Sequence, residues 1–283
     1  MNGRVRASRH PGGGHGTLWT GAVLVGLVVL MALASVVWTP YDPTRVRPDQ
    51  TLFRPGWPHV LGTDGFGIDI FSRLLVGARS CLLVGVVAVL IGALFGVPLG
   101  IWAGMRRGLV GRVILRATDI MYAFPALLLA ILLAAARGSG STLTAMVAIG
   151  LASVPAFTRV ARASTLGVVD QDYVTAARSA GIGWQAVARR HVLINIAPMV
   201  LVQASASFAL AILAEAALSY LGLGTPPTVP TWGRMLYDAQ KYLFMDPLQT
   251  LWPGLAIAVA VLGFNLLGDG LRELLDPRLR ESA

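Results

Sequence analysis

Charge of either sign is scarce in this chain. Of its 283 residues only 13% are charged, 55% are hydrophobic, and the mean hydropathy is +0.67. A soluble domain carries roughly 25% charged residues, so a soluble globular body is excluded and a bundle of apolar membrane helices is expected. Cysteine is nearly absent: Cys81 stands alone, which excludes a disulfide within the chain. The 4 histidines are scattered and show no metal-ligand spacing. Lys241 is the single lysine and follows Gln240. The chain therefore has no G-x-x-x-x-G-K-[ST] loop to cradle a nucleotide phosphate. The net charge of +9 comes from arginines spread among apolar runs. That distribution fits orientation in a membrane and argues against a nucleic-acid partner.

What is present is a series of apolar runs broken by polar connections. Residues 1–17 are basic and glycine-rich, with Arg4, Arg6 and Arg9, and read as a disordered cytoplasmic tail. Residues 18–38 form an uncharged run long enough for a first transmembrane helix at about 20 residues. The rival reading is a cleaved signal peptide ending at Ala32-Leu33-Ala34, but the run exceeds the ~7–15 residues of such a core. Residues 39–80 hold several prolines and charges and read as an external segment with an amphipathic lead-in. Residues 81–270 form the main membrane domain, with spans at about 81–104, 117–136, 142–157, 197–223 and 250–267, and residues 271–283 are a cytoplasmic tail. This predicts six spans with both termini in the cytoplasm. On that topology 15 of the 23 basic residues lie inside and 8 outside, as the positive-inside rule expects.

Three sets of residues stand out within the spans. Gly92, Gly96, Gly100 and Gly104 recur every four residues, a small-residue ridge on which another helix can pack backbone to backbone. Pro98 predicts a kink in the same helix, and Pro125 lies inside the third span. Glu215 falls in the fifth span toward its outer end, and Asn265 and Asp269 fall near the inner end of the sixth. An ionisable group inside a span is a functional candidate by default; the plainer alternative for Glu215 is a hydrogen bond or ion pair within the bundle.

Residues 170–196 form a long polar stretch between apolar runs. Asp170 or Asp172 can cap a short helix. Tyr173, Ala176, Ala177 and Ala180 then share one face. Gly181-Ile182-Gly183 ends that helix, and a second one carries Trp184, Val187, Ala188, His191 and Val192 on one stripe, with Pro198 at the entry to the next apolar run. A bare alanine face lets another protein approach the backbone closely. The bland alternative is an ordinary amphipathic connection.

This loop resembles the EAA loop of bacterial ABC-importer permeases through Ala176, Ala177, Gly181 and Pro198; Thr175 stands at the usual glutamate and Ile194 at a frequent proline. Upstream, HVLGTDGFGIDIFSRLLVGARS is similar to the segment before the second helix in dipeptide, oligopeptide and nickel permeases, matching at His59, Leu61, Gly62, Thr63, Asp64, Gly67, Asp69, Ser72, Arg73, Gly77 and Arg79, with Ile68 in place of an arginine. Asp64, Asp69 and Arg73 are expected there as a solvated, charge-paired loop. ILAEAALSYLGLGTPPTVPTWGRML and PGLAIAVAVLGFNLLGDGLRELLDPRL resemble later segments of the same family, so the likeness runs from about residue 59 to 280.

The resemblance implies an all-α integral membrane protein with six transmembrane helices, a type I ABC-importer permease fold with cytoplasmic coupling helices. It implies an ATPase-coupling site at Asp172, Tyr173, Ala176, Ala177, Arg178, Gly181 and Trp184. It implies partners as well: a second permease subunit in a heterodimer, two ABC ATPase subunits and an extracytoplasmic substrate-binding protein, all at a bacterial cell membrane. No catalytic residue, metal or cofactor is expected on this chain, ATP and Mg belonging to the ATPases. The solute would be a di- or oligopeptide, or alternatively nickel or another small solute. A rival of another class is an ion-coupled secondary transporter, which calls for inverted repeats and charges near the midplane; neither is visible in the sequence. An intramembrane enzyme would need a catalytic His or Asp pair in the bilayer, and the histidines lie in loops or tails.

Overall fold

A bilayer offers no water to backbone N–H and C=O groups, so long apolar runs must satisfy them internally as helices. The computed structural model describes residues 13–106, 108–137, 141–226 and 228–275. The helices in chain order are α1 (Gly13–Val37), α2 (Ile70–Met105), α3 (Leu109–Ala123), α4 (Ala126–Arg137), α5 (Thr142–Val169), α6 (Asp172–Ser179), α7 (Trp184–Val187), α8 (Leu193–Tyr220), α9 (Trp232–Ala239) and α10 (Leu248–Leu275). A π-type turn over Ala188–Val192 joins α7 to α8 into one helical run, Trp184–Tyr220. Among the described residues five helices are long and apolar enough to cross a membrane, or six spans when α3 and α4 count as one broken span. The basic tail at 1–12, Arg107 and the D-P-R-L segment from 276 lie outside the described residues.

The helices depart from the expected spans in physically readable ways. The lead-in before residue 81 is not a separate surface helix. Asp69 caps α2, its carboxylate accepting from the Ser72 N–H at 2.8 Å, and the helix runs unbroken into the membrane. The third span is not straight: α3 and the apolar part of α4 meet at 83°. Pro125 has no N–H and pushes the preceding residue out of the helical region, and Phe124 sits at φ −86°, ψ 116°. The expected fourth span, α5, does not stop near 157. It continues to Val169 and carries Arg159 and Arg162 within it rather than in a loop.

Packing centres on α2 against α5. A Cβ on Gly96 would lie 2.6 Å from the Val154 carbonyl oxygen, and one on Gly100 would lie 2.6 Å from the Ala161 Cβ. One on Gly104 would meet Thr165 at 2.7 Å, and one on Gly92 would meet Ser153 and Phe157. The whole ridge thus faces one helix. On the other side of the bundle α1 lies on α10, where Gly21 and Gly270 leave no room for a Cβ, and Phe208 of α8 stacks on Phe264 of α10 at 4.0 Å. Overpacking costs about 1–3 kcal/mol when side chains can yield; at Gly96 the obstacle is backbone. Gly96→Leu is expected to lower recovery of folded protein in detergent several-fold, whereas Gly26→Leu, with nothing within 4 Å, leaves it unchanged. Equal recovery of the two by size-exclusion chromatography would refute the close approach.

Candidate functional site

The polar stretch at 170–196 folds as two short helices around a glycine turn. Gln171 occupies the N-cap of α6 without a side-chain cap bond. The expected capping by Asp170 or Asp172 is therefore corrected: Asp172 sits in the first turn, where its charge complements the helix dipole. Gly181 adopts φ +86°, a left-handed conformation that costs a side-chain-bearing residue. Around it the Gly181 N–H donates to the Arg178 carbonyl at 3.0 Å and the Ile182 N–H to Ala177 at 3.1 Å, closing the end of α6.

One side of this element is anchored. Val174, Val187, Val192 and Ile196 are fully buried against Val97 and Ile101 of α2 and Phe157 and Ala161 of α5. Arg178 lies over the Trp184 ring at 3.6 Å, and the Tyr173 and His191 rings are 5.9 Å apart. The other side is bare: Tyr173, Ala176 and Ala180 are exposed and Ala177 is half-buried. Asp172 and Arg178 are also exposed, and Trp184 is half-buried. The element is thus a small-residue surface seated on α2 and α5, the two helices that pack most closely.

Glu215 and Asn265 are not brought together. Glu215 is 2% exposed. Its carboxylate accepts from the Ser219 hydroxyl at 2.7 Å and also bonds Thr231. Ser219 lies 3.1 Å from the Thr225 hydroxyl. This knot ties the C-terminal end of α8 to the turn before α9. Alongside it the Trp232 indole N–H donates to the Leu74 carbonyl at 3.0 Å, and Gly233 lies against the Ala216 backbone. Asn265 and Asp269 are exposed on α10.

The charges before and at the start of α2 are buried, which corrects the solvated loop expected for Asp64, Asp69 and Arg73. His59, Asp64, Asp69 and Arg73 are each at most 6% exposed. The His59 ring meets Asp69 at 2.9 Å. The two Arg73 terminal nitrogens fork between Asp64 and Asp238, the latter at 2.9 Å, and Arg234 lies 3.2 Å from Asp238. Asp238 and Arg234 belong to α9 and were missing from the sequence reading. Their signal was the i, i+4 spacing inside W-G-R-M-L-Y-D. Among the described residues no three of His, Cys, Asp or Glu gather as a metal site.

Known proteins resemble this chain in sequence and in fold. Residues 96–281 match the family of the binding-protein-dependent transport system inner membrane component. The glutathione transport system permease protein GsiD of Pectobacterium atrosepticum is 40% identical over 264 residues, 92% of this chain and 87% of that protein. The di/tripeptide transport system permease protein DppC of Pseudomonas aeruginosa is 41% identical over 269 residues, 93% and 88% of the two chains. The dipeptide permease DppC of Alkalihalophilus pseudofirmus is 38% identical over 260 residues, covering 92% and 85%. An inward-facing structure of the MetNI methionine ABC transporter superposes with a TM-score of 0.61 at 17% identity, covering 72% of this chain and 96% of that one. The last likeness speaks for the fold alone, the type I ABC-importer permease fold. On the family match and the identity to these permeases, the chain belongs to the binding-protein-dependent transport system inner membrane components.

Proposed function

We propose that this chain is one of two permease subunits of an ATP-driven importer for short peptides, forming half of the translocation path. The observation that carries the coupling role is the uncovered face of Tyr173, Ala176 and Ala180 above a base of fully buried valines. The identity to di/tripeptide and glutathione permeases supports the peptide class. One of two ATPase subunits docks on the 170–196 element, with Asp172, Tyr173, Ala176, Ala177, Arg178, Gly181 and Trp184 in or beside the contact. ATP and Mg bind those subunits, and this chain hydrolyses nothing. A second permease forms a heterodimer with it, and an external binding protein delivers the peptide. Both termini lie in the cytoplasm of a bacterial cell. Nickel or another small solute is the alternative cargo.

The test is uptake in a strain deleted for this chain alone. Labelled di- and tripeptide uptake is expected to fall at least tenfold and to return on complementation, with nickel uptake unchanged. Loss of nickel uptake with peptide uptake intact would reassign the cargo. A reporter fused after residue 175 is expected to report the cytoplasm; an external signal there would overturn the docking role.

A further inference from the structure

A cavity of about 460 Å³ lies between the segment before α2 and the turn that leads into α9. That volume is within the ~300–1,000 Å³ of ligand pockets. Val46 and Phe66 line it and are exposed, whereas the charged lining residues are covered: Arg73 is buried and Arg234 and Asp238 are half-buried. The cavity thus has an apolar rim and a charged floor.

The two arginines are not equally engaged. Arg73 forks between Asp64 and Asp238 through its terminal nitrogens, and its buried Nε has no hydrogen-bond partner. Arg234 meets Asp238 through Nε alone, 3.2 Å away and out of line for a hydrogen bond. Its guanidinium lies 4.5 Å from the centre of the Tyr237 ring, a contact that holds the group in place. Among the described residues no carboxylate reaches the two Arg234 terminal nitrogens. They form a fork that matches a carboxylate from outside. Asp64 does not line the cavity, so the lining charges are two guanidinium groups against one carboxylate. An anion fits there and a cation does not.

The position in the fold decides what carries the anion. Val97 of α2, on which the 170–196 element is seated, lies about 36 Å along the helix from Arg73 at 1.5 Å per residue. A hydrocarbon core is about 30 Å thick. The cavity and the 170–196 element therefore stand on opposite faces of the membrane. With an ATPase on that element, the cavity opens toward the compartment of the binding protein. Val46 and Phe66 stand in irregular backbone, which is not exposed to lipid within the hydrocarbon, so another protein is the better cover for them. An apolar rim that excludes water from a buried central contact is the form of a protein anchor site.

Resting on the importer reading above, we propose that this cavity is a socket for one aspartate or glutamate side chain of the external binding protein. Its carboxylate accepts from the two Arg234 terminal nitrogens. Arg73 keeps its own partners: it holds Asp238, and Asp238 holds Arg234 in position to receive the anion. Val46 and Phe66 close around the methylene stem and keep water from the ion pair, which strengthens the attraction.

The experiment uses the whole complex of both permeases and the ATPases in lipid nanodiscs, with labelled binding protein loaded with alanylalanine. Arg234→Gln is expected to raise the Kd for the binding protein at least tenfold while ATP hydrolysis without binding protein stays within twofold of wild type. Val46→Trp, which fills the cavity from an exposed position and leaves every charge intact, is expected to do the same, and it serves if Arg234→Gln assembles poorly. Single Asp→Asn and Glu→Gln changes over the binding protein then identify the inserted residue. One of them is expected to weaken binding to the wild-type complex tenfold and to add nothing against Arg234→Gln, the non-additivity of groups in contact. Wild-type Kd values for Val46→Trp and Arg234→Gln would overturn the socket. So would a scan in which no acidic residue couples to Arg234. A wild-type complex that neither binds loaded binding protein nor hydrolyses ATP faster with it would instead remove the importer reading, an outcome visible before any variant is made.

Discussion

Ala176→Glu should reduce uptake at least tenfold while leaving the permease itself folded. Ala176 is exposed in this chain, so the new side chain meets no neighbour here, and surface changes of this kind usually stay within ±0.5 kcal/mol. In the assembled importer the same position would lie under the ATPase groove. An unpaired charge buried there costs several kcal/mol, and each 1.4 kcal/mol is a factor of ten in binding. The ATPases should detach or hydrolyse ATP without response to loaded binding protein. Gly181→Val reaches the same result differently. Its Cβ would meet nothing within 4 Å, so its whole effect is the strain of φ +86°, about 1–2 kcal/mol, released by turning α7 away from its seat. Co-purification of ATPase with each variant, beside thermal melting of the permease, separates the two effects. Wild-type ATPase retention by Ala176→Glu would show that this face docks nothing.

Much of the architecture was legible because hydropathy and glycine spacing are local signals. The apolar runs marked the helices, and the Gly92–Gly104 period marked the ridge that the structure lays on α5. The helix–glycine–helix form of residues 172–187 followed from Ala176, Ala177 and Gly181. Helix length was less legible, because hydropathy reports where the apolar stretch stops and not where backbone hydrogen bonding stops. Arg159 and Arg162 looked like loop residues after an apolar run, yet α5 carries them two further turns and more. The break at Phe124–Pro125 was visible as a proline but not as an 83° bend, since a proline in a span can also give a mild kink. The external charges misled most. Asp64, Asp69 and Arg73 read as solvated because isolated charges near prolines usually are; their burial depends on Asp238, which is 165 residues further along the chain from Arg73.

That long-range dependence makes Arg73→Met the most damaging single change expected outside the spans. Arg73 is 4% exposed, and its guanidinium forks between carboxylates from the loop before α2 and from α9. Removing it leaves Asp64, itself buried, holding only backbone donors at Phe66 and Ile68. It also leaves Asp238 to Arg234 alone. Breaking a buried pair by deleting one partner costs about 3–5 kcal/mol, which corresponds to a fall in melting temperature of roughly 6–20 °C for a chain of this size class. Arg73→Lys should recover little, because a point charge on a flexible stem cannot span two carboxylates in fixed directions. Asp64→Asn added to Arg73→Met should recover part of the loss by removing the stranded charge. The ordering of the three melting curves is the measurement. If Arg73→Met melts with wild type at both low and high salt, the network does not hold the external segment to α9. If Arg73→Lys melts with wild type, charge alone suffices and the fork is incidental.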